Sequence, residues 1–175
     1  AIAPLSRYAI ITPPVNGHVM VYDRESERQD GTIADFARQL SEELNTKTFA
    51  VMNHDDSVLY YWLFDSGEEI DQYNSRPSYF DTSDQPQGGD VDILVNAFGR
   101  PNARDQVEQI LHCDADGEIE DSPYVFETDR HADLVGALHL PKWAVGYGYN
   151  YLAEDDFPEG FPADDTFYTE TDEDA

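Results

Sequence analysis

Cysteine is almost absent from this chain: Cys113 is alone among 175 residues, so no internal disulfide can form. No apolar run approaches the roughly 18 residues that a membrane-spanning helix needs. The first residues, Ala1-Ile2-Ala3-Pro4, carry no signal-peptide pattern. These absences exclude a disulfide scaffold and predict a soluble protein without a membrane segment, with the cytoplasm as its default location.

Basic residues are also scarce. The chain has 10 Lys plus Arg against 37 Asp plus Glu, a formal charge of -27, and its only lysines are Lys47 and Lys142. A surface field of that sign repels phosphate backbones and anionic lipid. The sequence therefore predicts no direct binding to nucleic acid or to a membrane, and any charged macromolecular partner is expected to be basic.

The acidity itself has three interpretations. Asp outnumbers Glu by 23 to 14 while lysine is scarce, a halophilic-like composition in which carboxylates hold water and ions and salt screens their repulsion. The second interpretation is an electrostatic surface for a basic protein, and the third is mimicry of a polyanion such as DNA. Composition alone leaves all three open.

Common catalytic signatures are missing as well. The chain has no Gly-x-Ser-x-Gly elbow, no phosphate-binding Walker loop, no Gly-x-Gly-x-x-Gly turn and no zinc-ligand spacing. These absences count against the commonest enzyme classes and favour a non-enzymatic role, although they leave an enzyme with an aromatic pocket as an alternative.

What the chain does have is enough apolar material, 40% of its residues, for a packed core. Ile33, Phe36, Leu40 and Leu44 recur at helical spacing and predict an amphipathic helix over 33–45. Segments 47–53, 57–64 and 68–73 are β-rich and separated by short turns, which predicts an antiparallel meander because parallel neighbours need long crossovers. The middle strand is apolar on both faces, which is typical of a central strand.

The other predicted elements lie on either side of this meander. The sequence predicts an α+β fold in which about four helices pack against an antiparallel or mixed sheet, as one domain over 1–152. These elements are an opening hairpin of 7–12 and 19–22, helices over 90–98 and from Asn102, a helix capped by Asp129, and strands at 124–126 and 145–152.

Residues 153–175 have a different composition, with ten acids, no Lys or Arg, and several aromatic residues. We expect this C-terminal segment to be an acidic aromatic tail that packs on its own domain or on a neighbour. The expected anchors are its aromatic side chains, Phe157, Phe161, Phe167 and Tyr168.

One acidic stretch resembles the middle of a calcium loop. Asp114, Asp116, Glu118 and Glu120 alternate around Gly117, which suits a sharp turn. When the stretch is aligned on that glycine, the first ligand position falls on His112 and the bidentate position on Pro123. An acidic turn is therefore the main prediction and a Ca²⁺ site the alternative; no other cofactor is expected.

Aromatic side chains offer the other candidate site. Tyr147 and Tyr149 alternate along one predicted strand, and Tyr60 and Trp62 alternate along another. Tyrosine and tryptophan combine a stacking face with a polar tip, which suits sugars and peptides. The stretch Asn53-His54-Asp55-Asp56 places an imidazole beside two carboxylates, but adjacent turn residues point in different directions, so a turn is the prediction there.

Together these features support two hypotheses about function besides acidity as mere surface adaptation. The leading one is a non-enzymatic acidic protein that acts by contact with a basic protein, as an immunity-type or anti-restriction-type inhibitor does. The alternative is a domain that binds a small molecule or carbohydrate in an aromatic pocket.

Overall fold

The computed structural model describes residues 8–79, 86–113 and 122–169, and these ranges form a single α+β fold with two antiparallel sheets. The fold class predicted from the sequence is thus confirmed. The helices within these ranges are α1 (Thr32–Leu44), α2 (Val91–Ala97), α3 (Arg104–His112), α4 (Glu127–Leu138) and α5 (Tyr149–Ala153). The strands are β1 (Ala9–Ile11), β2 (Val21–Asp23), β3 (Lys47–His54), β4 (Val58–Asp65), β5 (Glu68–Asn74), β6 (Gln87–Gly88) and β7 (Phe167–Thr169).

The larger sheet is the predicted meander, in the order β3-β4-β5-β6. Its first turn has Asp55 and Asp56 at positive φ, 49° and 55°, and its second has Ser66 and Gly67 at 54° and 88°. Two successive positive φ values are the mark of type I′ turns, whose twist matches that of the paired strands. The short turns therefore enforce antiparallel neighbours, as the sequence predicted.

Both faces of this sheet are covered, which is why β4 is apolar on both sides. On one face, α1 packs Ala37 against Ala50 and Phe64. On the other, Tyr61 and Leu63 join the main core built by α2, α3 and α4. Each large apolar side chain that is fully buried contributes about 1.5–3 kcal/mol, so β4 is the centre of the stabilising core.

The smaller sheet has the order β2-β1-β7. β1 and β2 form the opening hairpin, and β7, from the C-terminal segment, pairs antiparallel with the other edge of β1. Behind this sheet, Ile10, Tyr22, Trp143 and Leu152 form a second hydrophobic cluster. Residues 153–169 therefore lie against the chain's own opening hairpin.

Two predicted strands are wrong. Residues 124–126 form an irregular approach to α4, and 145–152 contain the turn at Gly146 and then α5. Alternation of tyrosine with glycine suits a strand, but Gly146 adopts a φ of +76°, which ends extended structure. The helix that follows buries Leu152 completely in the second cluster, and this tertiary packing overrides the local alternation.

The start of α4 also differs from the prediction. The helix begins at Glu127, and its N-cap residue, Phe126, makes no side-chain cap. The missing acceptor comes from the first meander turn, where the Asp56 carboxylate accepts a hydrogen bond from the Thr128 backbone N–H at 2.7 Å. Asn53 completes the junction by donating from Nδ2 to the Thr128 hydroxyl at 2.9 Å. Asp129, the predicted cap, instead lies in the first turn of the helix.

Replacing Asp56 with alanine is expected to lower the free energy of unfolding by about 1–2 kcal/mol more than replacing Asp55, because only Asp56 caps α4. Both residues have positive φ, so the backbone cost of alanine is matched in the two variants. Chemical denaturation of the two proteins measures the difference. Equal losses of stability in the two variants would show that the cap contributes nothing.

Candidate functional site

The larger sheet has an open area on the face that α1 covers. Ile33 and Ala34 of α1 and Trp62 of β4 are partly buried, and all three pack against the Ala37–Ala50–Phe64 cluster. Tyr60 lies two residues before Trp62 in β4 and points to the same side, because side chains alternate along a strand. Both aromatic side chains remain only partly buried, so the sheet face beyond the N-terminal end of α1 is accessible.

The two aromatic rings stack on each other and together form one aromatic platform. The ring centroids of Tyr60 and Trp62 are 5.7 Å apart and their planes differ by 6°. Burial raises the pKa of Tyr60, while its hydrogen bond with Asn74 acts in the opposite direction. The phenol is therefore neutral at physiological pH, and the platform carries no charge of its own.

Carboxamide side chains run alongside this platform. Gln72 pairs directly with Trp62, Asn74 pairs with Tyr60, and Gln87 on β6 pairs with Asn74. Directly paired residues point to the same face of an antiparallel sheet. The three amides therefore flank the aromatic rings.

The amides and rings, together with Tyr73, line a cavity of about 140 Å³, which we call the aromatic–amide cleft. A cavity of about 150 Å³ accommodates a benzene-sized molecule, so the cleft has room for one small planar group. None of the described residues that line it carries a formal charge at neutral pH.

The hydrogen-bonding capacity of the cleft is partly unused. Asn74 accepts a hydrogen bond from the Arg76 backbone N–H through Oδ1, at 3.0 Å. Within the described part of the chain, the side-chain amides of Gln72 and Gln87 make no hydrogen bond. Each amide offers an acceptor oxygen and two N–H donors, so the cleft can both accept and donate hydrogen bonds to a ligand.

A β-bulge creates this arrangement. The second turn pairs Asp65 with Glu68 and Phe64 with Glu69, a register that would place Asp71 opposite Trp62. The register shifts by one residue between Leu63 and Phe64, so Gln72 lies opposite Trp62 instead. Sequence reasoning missed the three amides because the signal, alternating Gln72 and Asn74 on β5, is meaningful only once the bulge is known.

The four aromatic residues that the sequence predicted as a candidate site lie in two separate places in the structure. Tyr60 and Trp62 share the cleft, whereas Tyr147 and Tyr149 pack against the second hydrophobic cluster with Ile10. The loss of the predicted strand at 145–152 explains the separation, because the two tyrosines are no longer part of any sheet. They therefore do not contribute to the cleft.

The four predicted tail anchors are held against the rest of the protein in two different ways. Phe157 and Phe161 stack with centroids 5.2 Å apart, and Phe161 meets the edge of Trp143 at 5.3 Å. Phe167 and Tyr168 are 63% and 42% exposed, and they are held mainly by the backbone pairing of β7 with β1. The first pair is thus anchored by its side chains and the second by the sheet.

A buried ion pair is the other unusual group of polar side chains. Arg130 Nε lies 2.9 Å from Glu127 Oε2, and neither side chain has any exposed surface. Arg130 Nη1 also donates to the carbonyl of Ile110 at 2.7 Å and to the hydroxyl of Tyr73 at 3.1 Å. Arg76 Nε lies 3.8 Å from the other Glu127 oxygen. The group joins α4, α3 and β5, and its central pair, Glu127 and Arg130, is closed off from solvent.

Burial raises the pKa of Glu127, and the neighbouring guanidinium groups of Arg130 and Arg76 oppose that rise. The arginines therefore balance a carboxylate that would otherwise be costly to keep ionised in the core. Nothing in the sequence distinguishes Glu127 from a surface glutamate at a helix start, so sequence reasoning missed this group. We assign it a structural role.

His54 and the calcium-loop residues are the remaining candidates from the sequence. His54 lies beside the first meander turn, with Nε2 3.8 Å from the exposed Asp55 carboxylate and its ring 5.9 Å from that of Tyr79. The calcium-loop candidates Asp114, Asp116, Glu118 and Glu120 lie outside the described residues.

Within the described ranges, no three His, Cys, Asp or Glu side chains are grouped so as to hold a metal ion. No helix in the same ranges is both long and apolar enough to cross a membrane.

Comparison of the chain with protein-family models, with curated proteins and with solved structures finds no match.

Proposed function

We propose that this protein acts by binding a basic protein partner rather than by catalysis. The observation that carries the proposal is the excess of carboxylates over bases on the folded part of the chain. The described ranges contain 26 acids and nine Lys or Arg residues, a formal charge of -17. This surface attracts a cationic protein over the full Debye length, about 8 Å at physiological salt.

Several surface bases lie in ion pairs with acids, so they present no isolated positive charge to a cationic partner. Arg28 lies 2.7 Å from Glu25, and Lys47 lies 2.9 Å from Asp65. Arg104 contacts Asp92 at 2.9 Å and is near two further carboxylates. A partner with complementary charge gains both association rate and specificity from such a surface.

Isothermal titration with strongly basic proteins, such as cytochrome c and a linker histone, tests the proposal. We expect binding at about 20 mM salt and at least about tenfold weaker binding at about 150 mM, because screening shortens the range of the attraction. Absence of binding to every basic protein at low salt would end the proposal. Polyglutamate of the same net charge is the control, and equal affinity for it would show that the folded surface adds nothing.

Two alternatives to this proposed function predict different experimental results. If the acidity is only adaptation of the surface to salt, the unbound protein should lose stability when salt is withdrawn, so its unfolding is measured at each salt concentration. If the protein binds a neutral small molecule or a carbohydrate, the cleft should take an uncharged ligand. The aromatic and amide side chains of the described lining, which carry no formal charge, are the observation that favours this second candidate.

A further inference from the structure

We infer that the aromatic–amide cleft binds an arginine side chain of the basic partner. The inference rests on the proposed function and supplies its anchor point. Interfaces draw most of their binding energy from a few buried residues, among which Trp, Tyr and Arg are enriched. The cleft presents the first two of these on an accessible sheet face.

The shape of the cleft suits a guanidinium group. The rings of Tyr60 and Trp62 are stacked with planes that differ by 6°, so a further planar group can lie parallel to them on an outer ring face. A guanidinium group is planar and stacks on aromatic faces, with tryptophan the best acceptor of a cation. The volume of about 140 Å³ accommodates one such planar group.

The polar side chains of the cleft complement the edge of the same group. A guanidinium has five N–H donors and no acceptor. Gln72 and Gln87 have carboxamide oxygens that accept no hydrogen bond within the described part of the chain. They flank the rings through their pairing with Trp62 and Asn74, so an inserted guanidinium finds acceptors around its edge while its plane lies on the platform.

The electrostatic setting also favours a cation. Among the residues that the structure describes, the cavity lining includes no lysine or arginine. Arg76 follows Asn74 closely in the chain, but its Nε lies 3.8 Å from the buried Glu127 carboxylate. The chain as a whole carries a formal charge of -27. A neutral sugar gains nothing from that field, and a lysine ammonium is too strongly hydrated to stack in the same way.

A single-tryptophan form of the protein makes the cleft directly observable. The chain has two tryptophans, and Trp143 lies in the second cluster, so Trp143→Phe leaves Trp62 as the only reporter. We expect Trp62 fluorescence to change and saturate on titration with a blocked tetra-arginine peptide. Tetra-lysine should bind about tenfold more weakly, and a tetra-citrulline peptide, which is planar but uncharged, should cause no saturable change.

Variants in the otherwise unaltered protein test the same contact. Trp62→Ala should weaken binding of tetra-arginine, and of any basic protein that binds, by about 3–30-fold, the range given by cation–π energies of about 0.7–2 kcal/mol. Trp62→Phe should restore part of the loss, which guards against a simple folding defect. Tyr151→Ala is the matched control, because Tyr151 is an exposed aromatic residue outside the cleft.

The outcomes separate the inference from the function on which it rests. If basic proteins bind and Trp62→Ala binds them as tightly as Tyr151→Ala does, the cleft is not the anchor, although the proposed function stands. If no basic protein binds at low salt, both fail. If citrulline or neutral oligosaccharides change Trp62 fluorescence as strongly as arginine does, the cleft is a site for neutral ligands and the arginine inference is overturned.

Discussion

Replacing Arg130 with alanine is expected to lower the free energy of unfolding by about 3–5 kcal/mol, because it leaves a buried carboxylate without its partner. Arg130 and Glu127 are both completely buried, with Nε and Oε2 2.9 Å apart. The substitution also removes the donor to the Ile110 carbonyl. A loss of this size is a large part of the 5–15 kcal/mol typical of a domain's total stability.

Chemical denaturation of paired variants gives the measurement. Arg104→Ala removes an exposed arginine that lies 2.9 Å from Asp92, and this change should cost less than about 1 kcal/mol. Replacing Glu127 and Arg130 together with methionine should recover most of the loss, because a buried ion pair is often no more stable than well-packed apolar side chains. If Arg130→Ala costs no more than Arg104→Ala, the buried pair is not a structural requirement.

Acidification is expected to destabilise the protein through His131. Burial on α4 lowers the pKa of His131 from its ordinary value of 6.5 to about 4. Between these two pKa values, His131 binds a proton in the unfolded chain but stays neutral in the folded chain. The free energy of unfolding therefore falls as the pH decreases. The full loss is about 3 kcal/mol below both pKa values, and about 2 kcal/mol of it is lost by pH 5.

Carboxylates also begin to titrate in the lower part of this range, so the informative quantity is a difference between variants. His131→Phe removes the titrating ring and should flatten the pH dependence of the free energy of unfolding between pH 7 and 5 by about 2 kcal/mol. His139→Asn is the matched control, since His139 is exposed at the end of the same helix and asparagine tolerates its positive φ of 61°. An unchanged slope in His131→Phe would show that this histidine does not carry the effect.

Local patterns in the chain were enough to predict much of the fold. The 3.6-residue spacing of apolar side chains predicted α1, and the position of Asp90 predicted the cap of α2, where its carboxylate accepts from the Ile93 N–H at 3.0 Å. The meander followed from short turns between β-rich segments. These features succeed because each depends on residues that are close together in the chain.

The failures share a different cause. The Tyr/Gly alternation at 145–152 predicted a strand, but burial of Leu152 against the opening hairpin selects a helix. The cap of α4 comes from Asp56, 72 residues away from the Thr128 N–H that it binds. The burial of Glu127 likewise depends on distant segments, because it requires α4 to pack against α3 and β5. In each case the deciding contact joins segments that are distant in sequence.

The cleft depends partly on local sequence pattern and partly on contacts between segments that are distant in the chain. Strand periodicity already places Tyr60 and Trp62 on one face of β4, and composition alone makes the protein strongly anionic. Whether that face is open depends on where α1 begins, and which side chains flank the rings depends on the bulge in β4–β5 pairing. Because side chains alternate with a period of two, a shift of one residue exchanges Asp71 for Gln72 beside Trp62. That exchange places an uncharged, hydrogen-bonding amide beside Trp62 where a carboxylate would otherwise lie.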